Sequence, residues 1–392
     1  MMKWMIFFLM LPHLQPACFE YLWPVMDVVF NAGRVFSGLM ILYLYILRGK
    51  IPSKPIWLLL VSQVWVCICT YLSDGEMKSI LIQSVSILAV TLLVHLFVDR
   101  PGKFIQALMM NLEWLIYVNL VSVLLYFPDG MYKSSQYYFL GHENGLFQYV
   151  LLACCVAVLY GRMFHRWGRS AALITAGYVS IFYLWSATSV VALLLVGMLT
   201  FLPIRRLKRW ITFHQVFFVS LGINVAVVGF RIMEKVRVII WFIEVYLKKD
   251  VTLTYRTFIW DRCIALIAEH PVMGVGANTG QYVGAVNAHN QYLELLLSGG
   301  VPLLAMFLAL NLMVGDRLKN MQKNPCAYGI FCSISGLYVI FIAEAYLTPL
   351  VYMLLVLAYY ADRFDMFAND TSRPGGYRIV ETYKVSGRNY GA

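Results

Sequence analysis

Along this chain, apolar runs of near twenty residues alternate with short polar links. A membrane-crossing helix needs about 20 consecutive apolar residues. The runs are continuous rather than alternating apolar with polar, so they predict helices and not barrel strands. About twelve spans are predicted, at 4–23, 27–47, 56–72, 79–98, 104–127, 145–160, 171–185, 187–202, 213–230, 291–314, 328–347 and 349–360. Pro12, Pro16 and Pro24 interrupt the first two.

Composition makes the membrane reading firm. Of the 392 residues, 61% are hydrophobic and 13% charged, with mean hydropathy +0.71. Soluble domains carry about 25% charged residues, and this chain has too few to cover a water-facing surface. The fold class is therefore an all-α polytopic membrane protein. The net charge of +11 would suggest nucleic acid in a soluble protein; here its distribution explains it, and no nucleic-acid partner is expected. Basic clusters follow every even-numbered span: Arg48, Lys50 and Lys54; Arg100 and Lys103; Arg162, Arg166 and Arg169; Arg205, Arg206, Lys208 and Arg209; Arg317, Lys319 and Lys323; and Arg363. Positively charged loops stay on the cytoplasmic side, which places both termini inside and the long loop 231–290 outside. Residues 1–361 then form one transmembrane domain including that loop, and 362–392 a polar, poorly ordered cytoplasmic tail. Within the loop, 236–247 reads as an amphipathic helix lying in the membrane interface.

The loop is a polar, Gly-rich island in an apolar chain. Between Arg256 and Glu269 a helical stripe of Ile259, Cys263, Leu266 and Ile267 is predicted, ended by Pro271. Arg256 and Trp260 lie one turn apart beside it. Gly274, Gly276 and Gly280 follow as a turn, and Asn287–His289 lead into the tenth span, which places His289 at the outer mouth of a membrane helix. His289 is the best general-base candidate, able to take a proton from a sugar hydroxyl. A lone His at a helix end is more often structural, but its neighbours favour chemistry. Asn290 can hydrogen-bond hydroxyls, Glu294 sits one turn on, and Arg256 and Arg262 carry guanidinium forks suited to a diphosphate. His270, before Pro271, is expected to shape the turn. No D-x-D or H-x-x-x-H spacing is present in the loop, so neither a metal nor another cofactor is implied.

Other polar residues fall inside the apolar runs: Arg34, Glu113, Asn224 and Glu344. Such residues mark function or buried pairs; Arg34 and Glu344 are expected toward the outer side, lining one cavity. The loop 128–144 holds Tyr132, Tyr137, Tyr138, His142, Glu143 and Asn144, which suit an interfacial belt better than a sugar-stacking platform. The eight cysteines form neither a zinc nor a C-x-x-C pattern and read as small packing residues.

R-T-F-I-W-D-R-C-I-A-L-I-A-E-H-P-V-M-G-V-G, followed after a gap by A-H-N-Q-Y-L-E-L-L-L-S-G-G-V, resembles the O-antigen ligase and O-antigen polymerase family over Arg256 to about Leu310. G-H-E-N-G-L-F before the sixth span is similar to another segment of that family. The resemblance implies a glycosyltransferase of the bacterial cytoplasmic membrane that uses undecaprenyl-diphosphate-linked glycans. Membrane lipids, a flippase and a chain-length regulator are the partners it implies. In it His289 is the acceptor-activating base and Arg256 a diphosphate-binding residue. The residues read as substrate-binding are Arg262, Asn290, Glu294, Trp260 and Arg34; His270, Pro271, Gly274 and Gly276 are read as structural. Where some members carry Ser-Arg near the eighth span, this chain reads S-A-T-S-V, and Ser298 and Leu303 stand where Glu and Gly are frequent. These departures favour a polymerase of capsule, exopolysaccharide or O-antigen repeats over a ligase. A transporter or flippase, the alternative of another class, would predict broken helices in paired halves and buried coupling charges; a pure scaffold is the last.

Overall fold

The computed structural model describes residues 1–133, 136–201, 211–241, 244–245 and 255–371. It is built almost wholly of helices: α1 (Met2–Met10), α2 (Cys18–Leu22), α3 (Pro24–Leu47), α4 (Lys54–Leu72), α5 (Met77–Leu96), α6 (Pro101–Tyr126), α7 (Leu146–Phe164), α8 (Trp167–Leu184), α9 (Ala187–Phe201), α10 (Phe213–Val228), the short α11 (Ile232–Lys235) and α12 (Arg237–Trp241), α13 (Arg256–Glu269), α14 (Gly280–Val283), α15 (Gln291–Leu318), α16 (Pro325–Ile340), α17 (Pro349–Tyr359) and α18 (Ala361–Thr371). One antiparallel hairpin joins β1 (Tyr137–Tyr138) to β2 (Gly141–His142). Among the described residues six helices, α3 to α7 and α15, are long and apolar enough to cross a membrane, and shorter apolar helices accompany them. Prolines open α3, α4, α6, α16 and α17, where a missing N–H costs nothing and the fixed φ suits the first turn.

Side-chain burial sorts the helices. α17 and most of α16 are buried on every face, with Ile334, Leu337, Met353, Leu355 and Val356 fully enclosed. α3 is peripheral and exposes Val28, Val35, Phe36, Leu39 and Leu47. Apolar side chains turned outward in such numbers fit only a lipid surround.

The helices share an orientation that matters for the site. At one end Arg48 (after α3) donates to the Leu96 carbonyl that ends α5 (3.1 Å), Lys50 pairs with Asp99 (2.5 Å), and Arg317 donates to Tyr359 (3.0 Å). At the other end Gln291 N–H (start of α15) donates to the Phe341 carbonyl just past α16 (3.0 Å), and Thr348, before α17, donates to Gln148 near the start of α7. α3, α5, α15 and α17 thus run in one direction, finishing at the end that carries Arg48, Lys50, Asp99 and Arg317.

Three expectations need correction. The run 4–23 is not one span: α1 passes into a 3-10 turn at Leu11–Leu14, and Pro16 separates it from α2. The run 328–347 is helical only to Ile340; 341–348 is a non-helical link carrying Glu344. The tail begins in order: α18 buries Phe364 and packs against α16 and α7. Its Asp365 accepts from the N–H groups of Cys326 (2.8 Å) and Ala327 (3.3 Å), satisfying two donors at the start of α16. Glu113, inside an apolar run, makes a helix contact: Arg169 of α8 pairs with both of its oxygens. The expected interfacial helix 236–247 is described only as α12 and residues 244–245, and the basic group 205–209 lies outside the described residues.

Candidate active site

The Gly-rich stretch is where the site begins. Gly274 (φ +65°) and Gly276 (φ +77°) hold left-handed backbone in a turn lying directly on other backbone. A Cβ on Gly274 would fall 2.1 Å from the Leu297 carbonyl oxygen, and one on Gly276 2.7 Å from Thr70 Cα. The receiving surface is a break in α15, where Gly299 and Gly300 (φ +65°) leave the helix. A Cβ on Gly300 would sit 2.1 Å from the Val272 carbonyl oxygen. The break exposes backbone groups that the turn then satisfies: Val301 N–H to the Pro271 carbonyl (2.9 Å) and Val275 N–H to the Leu297 carbonyl (2.6 Å). Trp65 Nε1 donates to the Gly299 carbonyl (2.7 Å) and Thr70 Oγ1 accepts from Ala277 N–H (2.9 Å). Glycines in the motif therefore dock the loop onto α15 and α4.

His289 stands at the end of that loop in a left-handed conformation (φ +46°). Outside glycine this conformation is uncommon and persists only when neighbours dictate it. They do so here. Its N–H donates to Asn287 Oδ1 (2.8 Å). The Ala288 carbonyl accepts from Trp260 Nε1 (3.1 Å), and the Ala288 N–H donates to Glu294 Oε2 (2.9 Å). Glu294 also accepts from Thr279 (2.7 Å). Asn290 is fully buried: Oδ1 caps α15 by accepting from Tyr292 and Leu293 N–H, and Nδ2 donates to the Ile342 carbonyl (3.0 Å). Gln291 accepts from Tyr346 N–H (2.6 Å). Asn290 and Gln291 thereby staple the link 341–348 against the loop.

The staple brings Glu344 to His289. Glu344 Oε2 meets His289 Nδ1 at 3.2 Å, and Oε1 accepts from Arg256 Nη2 at 2.6 Å. A carboxylate only accepts, so Nδ1 carries the ring proton and Nε2 keeps its lone pair. The Glu344 side chain is 7% exposed, Arg256 14% and His289 25%, so imidazole is the most open of the three. Burial by itself pushes the Glu344 carboxyl up; the hydrogen bond with His289 and the charge of Arg256 outweigh it and hold the carboxyl below the usual carboxylate range. Arg256 opens α13, where a cation opposes the helix dipole, and Glu344 offsets that cost.

The hairpin supplies a further imidazole. His142 is pushed below the ordinary histidine range chiefly by burial, with His289 adding to the shift and Glu344 opposing it. Asn144 follows: its carbonyl accepts from Tyr346 and its Oδ1 from Ser186 (2.9 Å). The S-A-T-S-V segment thus binds the G-H-E-N segment rather than carrying a guanidinium.

The remaining sequence candidates fall elsewhere. Trp260 is buried and holds Ala288. Arg262 is exposed on α13, its Nη1 3.6 Å from where a Cβ of Gly284 would stand. His270 is exposed at the end of α13; its backbone continues into the turn through Gly274 N–H (2.9 Å). Arg34 donates to the Pro12 carbonyl (3.2 Å) and Asn31 (2.9 Å) and lines a separate cavity. Sequence reasoning marked Glu344 as an acid out of place in an apolar run and missed its role as the partner of both Arg256 and His289. Among the described residues no group of three or more His, Cys, Asp or Glu converges as a metal site would.

These observations define a class: a multi-pass helical membrane protein with a histidine–carboxylate–guanidinium cluster where its helix ends converge. Residues 144–308 match the family model described as O-antigen ligase, and over that stretch the chain is similar to the O-antigen ligase and polymerase family. Members of this family are membrane glycosyltransferase-like enzymes of polysaccharide biosynthesis. The match contains Arg256 and His289 and ends before Glu344. No curated protein matches the chain.

Proposed function

We propose that this protein polymerises lipid-linked oligosaccharide repeat units at the outer face of a bacterial cytoplasmic membrane, taking its donor as an undecaprenyl diphosphate. The observation that carries the reading is the chain of contacts Arg256–Glu344–His289. Glu344 orients the imidazole and favours its charged form once it has gained a proton, the role a carboxylate plays behind a catalytic histidine. His289 Nε2 takes the proton of an acceptor hydroxyl as its oxygen attacks the anomeric carbon of the donor sugar. The anomeric C–O bond to the diphosphate breaks, and the lipid diphosphate departs with its charge met by Arg256. The proton on His289 then passes to water. The outer face is supported by the helix directions: the cluster lies at the end opposite Arg48, Lys50 and Arg317, and basic ends face the cytoplasm.

A polymerase is preferred to a ligase on the departures at Ser186–Val190, Ser298 and Leu303. The broken helix α15, a feature also of carriers, is occupied by the 271–276 turn, which supports a fixed site over a moving one. The test uses membranes supplied with one lipid-diphosphate repeat unit. His289→Ala is expected to lower chain extension by roughly 10²- to 10⁴-fold at unchanged protein level. Extension at the normal rate would remove the catalytic assignment, and transfer of finished polymer to a separate acceptor would make the protein a ligase.

A further inference from the structure

A cavity of about 460 Å³ lies among the first turns of α3, α5, α7 and α17, at the same end of the molecule as His289. That volume is within the range of small-ligand sites, roughly 300–1,000 Å³. Its wall is polar where the surrounding helices are apolar. Asp27 accepts from Gln15 Nε2 (2.9 Å) and Asn31 Nδ2 (2.9 Å), and Asn31 Oδ1 accepts from Arg34 (2.9 Å), a preset lattice of carboxylate, amide and guanidinium. Three further polar atoms on lining residues, His13 Nδ1, Gln15 Oε1 and Ser86 Oγ, are buried with no hydrogen-bond partner among the described residues. Their side chains belong to residues 4%, 9% and 3% exposed. A buried polar group without a partner is costly, and each of these gains one if its side chain turns to meet a hydroxyl in the cavity that its residue lines.

The cavity adjoins a second one beside the His289 loop. Ser79, Gln83 and Thr348 line both it and a second cavity of about 220 Å³. That second cavity is lined by Asn287 and Glu294, which hold the backbone around His289, and by Ala345, next to Glu344. The two cavities therefore lie side by side across Ser79, Gln83 and Thr348, between Arg34 and the residues that hold the His289 loop.

From this we infer that the cavity at Asp27, Asn31 and Arg34 is a sugar subsite, which holds the hydroxyl-bearing units of the acceptor oligosaccharide behind the unit that reacts at His289. This rests on the polymerase reading. Carboxylates and amides pairing with vicinal hydroxyls are the chemistry of sugar recognition. Glu20, Asp27 and Glu76 against Arg34 and Lys78 make the wall a poor host for a diphosphate, which leaves that group to Arg256. The subsite explains why Arg34 stands in an apolar run without meeting His289.

The test measures binding apart from turnover. Purified protein in detergent is titrated calorimetrically with the free oligosaccharide of one and of three repeats, released by mild acid from the host's own polymer. Binding is expected in the wild type and equally in His289→Ala. Ser86→Ala removes a buried atom that has no partner, so a packing role alone predicts unchanged or raised melting temperature and unchanged binding; Gln15→Met removes one such atom together with the Gln15–Asp27 hydrogen bond and is read on binding. The subsite predicts affinity weakened about tenfold or more in both, at unchanged melting temperature in Ser86→Ala. Ser79→Trp places a bulky ring on the wall that the two cavities share, from an exposed position outside the core; it is expected to abolish the advantage of three repeats over one. No binding to the wild type, or full binding in all three variants, overturns the inference. Binding that behaves as expected while His289→Ala still polymerises would sink the catalytic reading and leave the subsite standing.

Discussion

His289, Glu344 and Arg256 divide one task. A buried carboxylate without partners would cost several kcal/mol or take up a proton; with a guanidinium on one oxygen and an imidazole on the other it stays charged and directional. Glu344→Gln keeps the shape and removes the charge. We expect kcat to fall roughly 10²- to 10⁴-fold with KM for the lipid-linked donor little changed, measured as chain extension in membranes. An equal rise in KM would show instead that Glu344 acts by holding Arg256 for binding. At this scale the sequence was uneven in what it revealed. His289 and Arg256 were legible because a polar, Gly-rich stretch in an apolar chain has few structural excuses. Glu344 was visible as an anomaly without a partner, since 55 positions separate it from His289 and only the folded link unites them. Asn290 and Glu294 looked like substrate contacts because their side chains suit sugars; their atoms are taken up in capping α15 and holding Ala288.

Among the elements, the break in α15 has the sharpest consequence. The helix is interrupted so that the 271–276 turn can lie against its backbone, and three glycines make the approach possible. Gly300→Ala puts a side chain at φ +65° and into the Val272 carbonyl, with an expected loss of at least about 2 kcal/mol. The check is thermal unfolding in detergent beside Gly168→Ala, where nothing lies within 4 Å of the new methyl and no loss is expected. α18 offers a second check. Asp365→Ala strips two N–H groups of α16 of their acceptor and should cost about 1 kcal/mol, as removal of a helix cap does. Equal stability would mean that water replaces the carboxylate. Helix existence was plain from the apolar runs. The premature end at Ile340 and the ordered α18 were not, because hydropathy reports how apolar a segment is and not whether its backbone needs a partner elsewhere.

For the whole molecule, the directions of α3, α5, α15 and α17 put basic residues at one end and the cluster at the other. If basic ends are cytoplasmic, a cysteine at Val286, 82% exposed beside the loop, reacts with a membrane-impermeant maleimide on intact cells. One at Lys319, exposed past α15, reacts only after the membrane is opened. The native cysteines lie buried or half-buried and should give little background. The opposite pattern would invert the protein in the membrane and place the cluster away from exported glycans. Even-numbered spans with basic ends were readable in the linear chain; the convergence of their starting turns on one polar cavity was not, since it depends on which helices are neighbours.

The staple from Asn290 and Gln291 to the 341–348 link reaches past the part of the chain that carries the family likeness. His289, the proposed general base, and Glu344 beside it therefore sit on opposite sides of any seam placed between α15 and α17. Hybrids assembled from two relatives would inherit a matched pair only when the join falls before Arg256 or after Thr348. A swap that ends before Arg256 can trade α3 and α5, which line the polar cavity, without dividing the pair.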